Sequence, residues 1–230
     1  MSTEIFNVIA SRYDMTNYVL SFGRHVGWRR KLLQYLPPGE HLYVLDLATG
    51  TADVAIVLAR EDRVAGVMGV DLAEGMLSIG REKVAKALGT SKVKLLNGDA
   101  LALDFPDRHF DAVTVAFGLR NFSDLMKGLM EARRVIKPGG RLIVLEFSSP
   151  EGFPQKYVHG FYLNVLMPLI GTLLTGKREA YRYLASTVRA FPFGERFSRI
   201  MAQVGFEKVE RCELAMGAAT IYVGYVQGVR

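Results

Sequence analysis

Residues 44–53 read Val44-Leu45-Asp46-Leu47-Ala48-Thr49-Gly50-Thr51-Ala52-Asp53, and this stretch decides the fold. An apolar run from Leu42 to Leu47 carries a carboxylate at Asp46, and a turn of small residues follows. Val54, Ala55, Val57 and Leu58 then fall at helical spacing. Strand, tight turn and helix N-terminus, in that order, set a ligand at the carboxyl edge of a parallel sheet. Small residues around Gly50 and Thr51 let the ligand approach the backbone, and the free N–H groups that open the helix can bond it. A second acid ends a strand 25 positions after Asp46, in Gly66-Val67-Met68-Gly69-Val70-Asp71. A carboxylate at Asp71 suits a ribose diol, because it accepts both hydroxyl protons at once.

The charge around the turn narrows the ligand. A dinucleotide brings a pyrophosphate, and its site normally shows G-x-G-x-x-G at this turn. Here the slot holds one glycine, Gly50, between Asp46 and Asp53. Those acids would repel a pyrophosphate but can accept from a cationic amine. S-adenosylmethionine has an amine, a sulfonium and no phosphate, so the pattern favours a methyl donor over NAD.

At 230 residues the chain is long enough for one domain with a substantial core. Residues 1–230 are accordingly read as a single domain, with a helical cap over 1–40 and an apolar helical insertion over 148–190. The chain is 50% hydrophobic, and its mean hydropathy of +0.14 is somewhat apolar for a soluble enzyme. A net charge of +6 suits an anionic partner, nucleic acid or an acidic membrane surface, and equally suits a merely basic soluble protein. The lone Cys212 excludes an internal disulfide and any cysteine-based metal cluster, which fits a reducing compartment. Met1 to Arg12 includes Glu4, Asn7 and Arg12 and lacks the continuous apolar core of a signal peptide.

Along the chain, Ile5, Phe6, Ile9, Tyr13 and Leu20 come near helical spacing and predict the N-terminal cap. Ser21 to Lys31 mixes aromatic and basic residues, either a solvated helix start with Trp28 in the core or a surface-binding element. Helices are expected over 73–88, 123–136 and 193–204, and strands over 93–96, 110–117, 141–147, 205–213 and 220–226. Asp99 sits at a third strand end, where a carboxylate can accept from an adenine amino group or simply hold a turn. Strands alternating with helices specify a parallel doubly wound sheet. Tyr157 to Thr175 is the most apolar stretch, long enough as a helix to span about 28 Å. His159, Asn164, Pro168 and two glycines inside it argue against a lone membrane span and for a helical insertion lining an apolar pocket. Lys177, Arg178, Arg182 and Arg189, interleaved with Tyr181 and Tyr183, suit either a membrane interface or a solvated helix face.

Three stretches together resemble the ubiquinone/menaquinone-biosynthesis C-methyltransferase family over nearly the whole chain. They are Tyr13-Asp14-Met15-Thr16-Asn17 through Ser21, His25 and Trp28; Phe117-Gly118-Leu119-Arg120-Asn121; and Arg134-Val135-Ile136-Lys137-Pro138-Gly139-Gly140 through Glu146 and Ser148. Lys-Pro-Gly-Gly recurs in many methyltransferases, whereas the first two blocks are far more specific. The chain departs from the family pattern at Thr16, where Met is usual, and at Ala116, where a serine is expected. Ala52 stands in place of a glycine, which leaves the turn usable at negative φ. The common His/Arg-Gly ending is also missing.

The resemblance implies an α/β, Rossmann-like class I S-adenosylmethionine-dependent methyltransferase fold, with a mostly parallel seven-stranded sheet and an antiparallel last strand. It implies cofactor contacts at Thr51, Asp71, Asp99 and Ala100, beside Asp46 and Gly50 of the turn. It implies a polyprenylated quinol as substrate, demethylmenaquinol or its benzoquinol counterpart, and the apolar insertion suits the isoprenoid tail. Methylation at a ring carbon needs an electron-rich ring, best obtained by deprotonating the adjacent quinol hydroxyl. Arg120, always protonated, suits the developing oxyanion. His25, Asp14, or a water held by Arg120 and Asn121 are the candidate bases. No metal is required for this chemistry.

Two other classes stay open at this point. One is a non-catalytic subunit of the same fold that binds lipid or a partner enzyme. The other is an RNA methyltransferase, suggested by the basic charge. The chain lacks an Asn-Pro-Pro-Tyr-type motif and an appended RNA-binding module, and one cysteine fails the two-cysteine scheme of cytosine C5 enzymes, so no nucleic acid partner is expected. A cytoplasmic location peripheral to the inner face of the membrane is expected, with contact to anionic lipid and homo-oligomer formation both left open.

Overall fold

The computed structural model describes residues 18, 21, 23–89, 92–150, 152–154, 157, 160, 161, 169, 172 and 178–228. Asp14, most of the expected cap and most of Tyr157–Thr175 lie outside the described residues.

Strands β1 (Leu42–Leu47), β2 (Val64–Asp71), β3 (Val93–Asn97), β4 (Phe110–Ala116), β5 (Ile136–Phe147), β6 (Lys208–Leu214) and β7 (Ala219–Tyr225) form one sheet. Their order is β3-β2-β1-β4-β5-β7-β6. The first five run parallel, and β7 lies antiparallel between β5 and β6. The parallel sheet with a reversed last strand and a closing hairpin is therefore the observed topology. Because β1 pairs with β2 on one side and β4 on the other, the strand order reverses there and a crevice opens beyond their carboxyl ends.

Strand side chains alternate between the two faces, and each face is covered. Val44, Val67, Ala112 and Ile143 pack with residues of α2 (Asp53–Ala59) and with Val84 of α3 (Glu74–Leu88). Trp28 of α1 (Arg24–Lys31) joins that face as a half-buried ring. Leu45, Leu47, Val113 and Val144 pack on the other side with α4 (Leu125–Val135) and α6 (Glu195–Val204). Helix α5 (Arg178–Ala190) precedes α6 and buries Ala185 and Val188. Trp28 thus packs against the core while Arg24, Val26, Arg30 and Lys31 of the same helix are exposed.

Two boundaries differ from expectation for a physical reason. Helix α4 stops at Val135 and the strand begins at Ile136, inside the segment expected to be a helix end and loop. Ile136 pairs with Phe110, and the register then slips before Ala112. Gly139, at φ 79°, and Gly140, where a Cβ would come 2.6 Å from the Asp111 carbonyl, supply the backbone freedom for that slip. Lys137 Nζ then reaches Asp111 at 2.8 Å.

Candidate active site

The turn between β1 and α2 is built from backbone the sequence does not announce. Ala48, Gly50 and Ala52 all adopt left-handed φ, at 51°, 57° and 64°. Ala52 was expected at negative φ; its methyl is instead fully buried in the sheet core, and this packing holds an alanine where glycine would be easier. Opposite the turn, a Cβ on Gly118 would lie 2.5 Å from the Ala48 Cβ, so the loop after β4 can approach only as glycine. The Thr49 N–H donates to the Val70 carbonyl at 3.1 Å and ties the turn to β2.

Asp46 is buried beneath this turn and accepts from the hydroxyls of Thr49 and Thr114, both at 2.6 Å. Burial pushes its carboxyl up to about 6, against the two hydroxyl donors and the nearby Arg29 guanidinium, which favour the anion. The fold thus gains from keeping Asp46 protonated, and that gain is lost as pH rises from about 4 through 6. Asp53 is not free to meet an amine alone. It pairs with Arg29 at 2.5 Å and with Lys83, which also donates to the Thr51 hydroxyl at 3.1 Å. Those two cations hold the Asp53 carboxyl below the usual range, although burial alone would raise it.

Asp71 ends β2 with both oxygens engaged by backbone. Gly50 N–H donates to one at 2.8 Å and Ala73 N–H to the other at 2.9 Å. Burial raises its carboxyl above the ordinary value, and the N–H donors oppose that rise. Each oxygen retains a lone pair, so a vicinal diol can still donate to both. Asp71 opens on a cavity of about 190 Å³ whose walls include Gly50, Met76, Asp99, Ala100, Phe117 and Asn121. Asp99 accepts from Leu101 N–H at 2.9 Å, which fixes the loop along one side.

A second, smaller cavity of about 30 Å³ lies across the turn, walled by Arg29, Asp46, Thr49, Thr51 and Asp53. The two share Ala48, Gly50 and Ala116 as a common wall. The sequence-expected cofactor residues Asp46, Gly50, Thr51, Asp71, Asp99 and Ala100 therefore gather around two adjoining cavities. A carboxylate for a ribose, apolar walls for a base, and acid and cation for an amino acid head group together fit S-adenosylmethionine.

Beyond β4, Phe117 takes φ 58° and stacks near Phe147, with ring centroids 4.4 Å apart. The Phe117 carbonyl accepts from Arg120, whose guanidinium pairs with buried Glu146 at 2.8 Å and lies 5.3 Å over the Phe147 ring. Arg120, expected to await an oxyanion, is thus already matched by a carboxylate. Asn121 lines the larger cavity and accepts from the Tyr183 hydroxyl at 3.3 Å, which ties α5 to the loop after β4. His25 is buried on α1 with Nδ1 2.5 Å from the Ser21 hydroxyl; it lines neither cavity. Sequence reasoning missed Arg29, Lys83 and the Arg120 partner role of Glu146. Glu146 had a local signal, an acid ending an apolar strand as in β1 and β2. Arg29 and Lys83 had none, because each meets Asp53 across more than twenty residues of chain.

Comparison with known proteins agrees with this geometry. Residues 2–226 match the model of the ubiE/COQ5 methyltransferase family. A demethylmenaquinone methyltransferase of Thermus thermophilus is 46% identical over 220 residues, covering 96% of this chain and 99% of the relative. One from Bacteroides fragilis is 42% identical, covering 95% and 89%. A ubiquinone/menaquinone biosynthesis C-methyltransferase of Geobacter sulfurreducens is also 42% identical, covering 96% and 86%. Among solved structures, an S-adenosylmethionine-dependent methyltransferase from Thermotoga maritima superposes with a TM-score of 0.67 at 21% identity, covering 97% of this chain and 99% of that one. At that identity it speaks to the fold alone. The sheet order, the groove at its switch point and the family match over residues 2–226 lead to one assignment: this chain belongs to the ubiE/COQ5 methyltransferase family.

Proposed function

We propose that this protein methylates a ring carbon of a polyprenylated quinol, demethylmenaquinol or the benzoquinol precursor of ubiquinone, with S-adenosylmethionine as donor. The observation that carries the reading is the family match over residues 2–226, with relatives of 40–46% identity that bear quinone-methylating names. S-adenosylmethionine supplies an electrophilic methyl group on a sulfonium. The residues at hand do the rest. Asp71 takes the ribose hydroxyls, and Met76 with Phe117 gives the base apolar walls. Asn121 and Phe117 line the same cavity, and Tyr183 of α5 holds Asn121 in place.

The quinol hydroxyl next to the reacting carbon would give its proton to a base. The ring carbon would then bond the methyl as the methyl–sulfur bond breaks and S-adenosylhomocysteine departs, and a base or water would take the ring proton so that the ring regains its aromaticity. Asp14 and a water between Arg120 and Asn121 are the proposed bases; the third candidate, His25, is buried against Ser21 and lines neither cavity. Arg120 remains the proposed partner of the quinolate, through its guanidinium N–H groups rather than net charge, because Glu146 already neutralises it. Holding ring and methyl in line supplies much of the rate.

The reading predicts a sharp redox requirement. A purified sample given methyl-labelled S-adenosylmethionine should label a short-chain demethylnaphthoquinol on carbon, and should leave the oxidised quinone unlabelled because its ring is electron-poor. Label on oxygen, or equal label on both forms, would rule the proposal out. Mass spectrometry of quinones from cells lacking the protein should show the demethyl species accumulating.

A quinol with a prenyl tail must come from a membrane, and no helix among the described residues is long and apolar enough to cross one. We propose peripheral contact instead. Arg24, Val26, Arg30 and Lys31 are exposed on α1, and Met216 stands 75% exposed on the β6–β7 turn. Each cation near an anionic surface contributes about 1 kcal/mol. The protein should therefore sediment with anionic but not neutral vesicles at low salt and be released as salt rises. Equal recovery in the supernatant with both vesicle types would exclude the contact.

A further inference from the structure

Arg29 is unusual among the residues of the groove because the family motifs do not include it and its role is only half explained. It comes from α1, outside the sheet, and its side chain is 11% exposed. One terminal nitrogen reaches Asp53 at 2.5 Å, yet Nε is buried without a hydrogen-bond partner among the described residues. Asp53 has Lys83 as a second cation, so its charge does not require Arg29. A buried guanidinium N–H without an acceptor is costly, and natural sites keep one chiefly where something else supplies the acceptor.

The place it occupies says what that acceptor is. Arg29 and Asp46 wall the same small cavity, on the far side of Ala48 and Gly50 from the ribose carboxylate Asp71. An α-amino acid carries an ammonium and a carboxylate on one carbon. This cavity presents the Arg29 guanidinium and two carboxylates, Asp53, which is paired with Arg29 and Lys83, and Asp46, which has no cation of its own within salt-bridge distance among the described residues. At about 30 Å³ it has room for a few small polar groups and none for a second ring. Guanidinium geometry matches a carboxylate through paired donors, which a lysine cannot reproduce.

We infer that Arg29 is the receptor for the carboxylate of the methionyl half of S-adenosylmethionine, with Asp46 facing its ammonium. The inference rests on the cofactor reading above and deepens it. Arg29 is a binding residue for one end of the cofactor. Helix α1 thereby becomes part of the cofactor site, and the enzyme discriminates the intact amino acid from adenosine fragments that lack it.

The test compares three ligands by calorimetry: S-adenosylmethionine, its decarboxylated analogue, and 5′-methylthioadenosine, which lacks the amino acid altogether. The parent should bind the intact cofactor about 10- to 100-fold more tightly than the decarboxylated analogue, the usual range for a charge-assisted pair. Arg29→Gln should lose that margin for the intact cofactor while binding the other two as the parent does. Arg29→Lys should recover part of the margin. A purely structural role would weaken all three ligands together, and that result would overturn the assignment, as would unchanged binding of the intact cofactor. A parent that binds none of the three would instead sink the cofactor reading itself. Because 5′-methylthioadenosine reports on the ribose side of the groove, its retained binding also shows that the variant is folded.

Discussion

Replacing Asp71 by asparagine should weaken S-adenosylmethionine binding about 10- to 150-fold, the range for losing a charge-assisted hydrogen-bonded pair. The substitution keeps the side chain's shape but removes its charge. Its amide nitrogen would also have to face the N–H of Gly50 or Ala73, both of which now donate to the carboxylate at 2.8 and 2.9 Å. Asp71→Ala should show a comparable loss, with those two donors left without an acceptor. The pH dependence separates charge from shape. Burial raises the Asp71 carboxyl in the folded protein, so the anion that a diol needs is populated only as pH climbs through that raised value. Affinity of the parent should therefore rise with pH across the acid range, with a smaller rise in Asp71→Asn. Asp46, also raised by burial, contributes to both proteins, so the difference between the two curves belongs to Asp71. A dissociation constant within threefold of the parent would remove Asp71 from the ribose site.

The second large effect is on stability. Arg120 and Glu146 form an ion pair whose side chains are 4% and 1% exposed. Arg120→Met removes the cation and leaves a carboxylate buried with two backbone N–H groups, from Arg120 and Phe147, as its remaining donors. Breaking a buried pair from one side typically costs about 3–5 kcal/mol. For a chain of this size that lowers Tm by roughly 6–20 °C. Glu146→Gln strands the guanidinium and should cost a similar amount, while the double variant Arg120→Met/Glu146→Gln should recover much of the loss. Calorimetric unfolding of the four proteins closes the cycle, and additive losses would show that the pair is not coupled. The kcat of folded Arg120→Met against a short-chain quinol then tests the quinolate role separately. A value within a few-fold of the parent would rule Arg120 out of that role.

The sequence carried the strand ends better than what meets across them. Asp46 and Asp71 closing apolar runs pointed to the groove, and two strands were legible after Gly205, their reversal coming from the family resemblance. Those features are local: a period of two, an acid, a turn. The start of β5 was lost because Lys137-Pro138-Gly139-Gly140 looks like a stop signal by composition, whereas pairing of Ile136 with Phe110 overrides it. Ala52 misled for a similar reason. Its left-handed φ is imposed by the packing of its methyl among residues far along the chain, which no neighbouring residue reports. The charged partners were hardest of all. Arg29, Lys83 and Glu146 each find their counterpart only once the sheet has folded, so Asp53 looked like an available acid and Arg120 like an available cation.

The wall shared by the two cavities consists of Ala48, Gly50 and Ala116, two methyl groups and a bare backbone. No side chain larger than a methyl group belongs to that shared wall, so only a thin sill parts the two chambers. On the placement proposed above, a nucleoside would fill one and an amino acid the other, and only a molecule that is both at once would span the threshold. The link between the halves, where the reactive sulfur would lie, would meet no polar side chain of the sill. Its position would be inherited from the grip on either side, in the way a rope is fixed by its two ends.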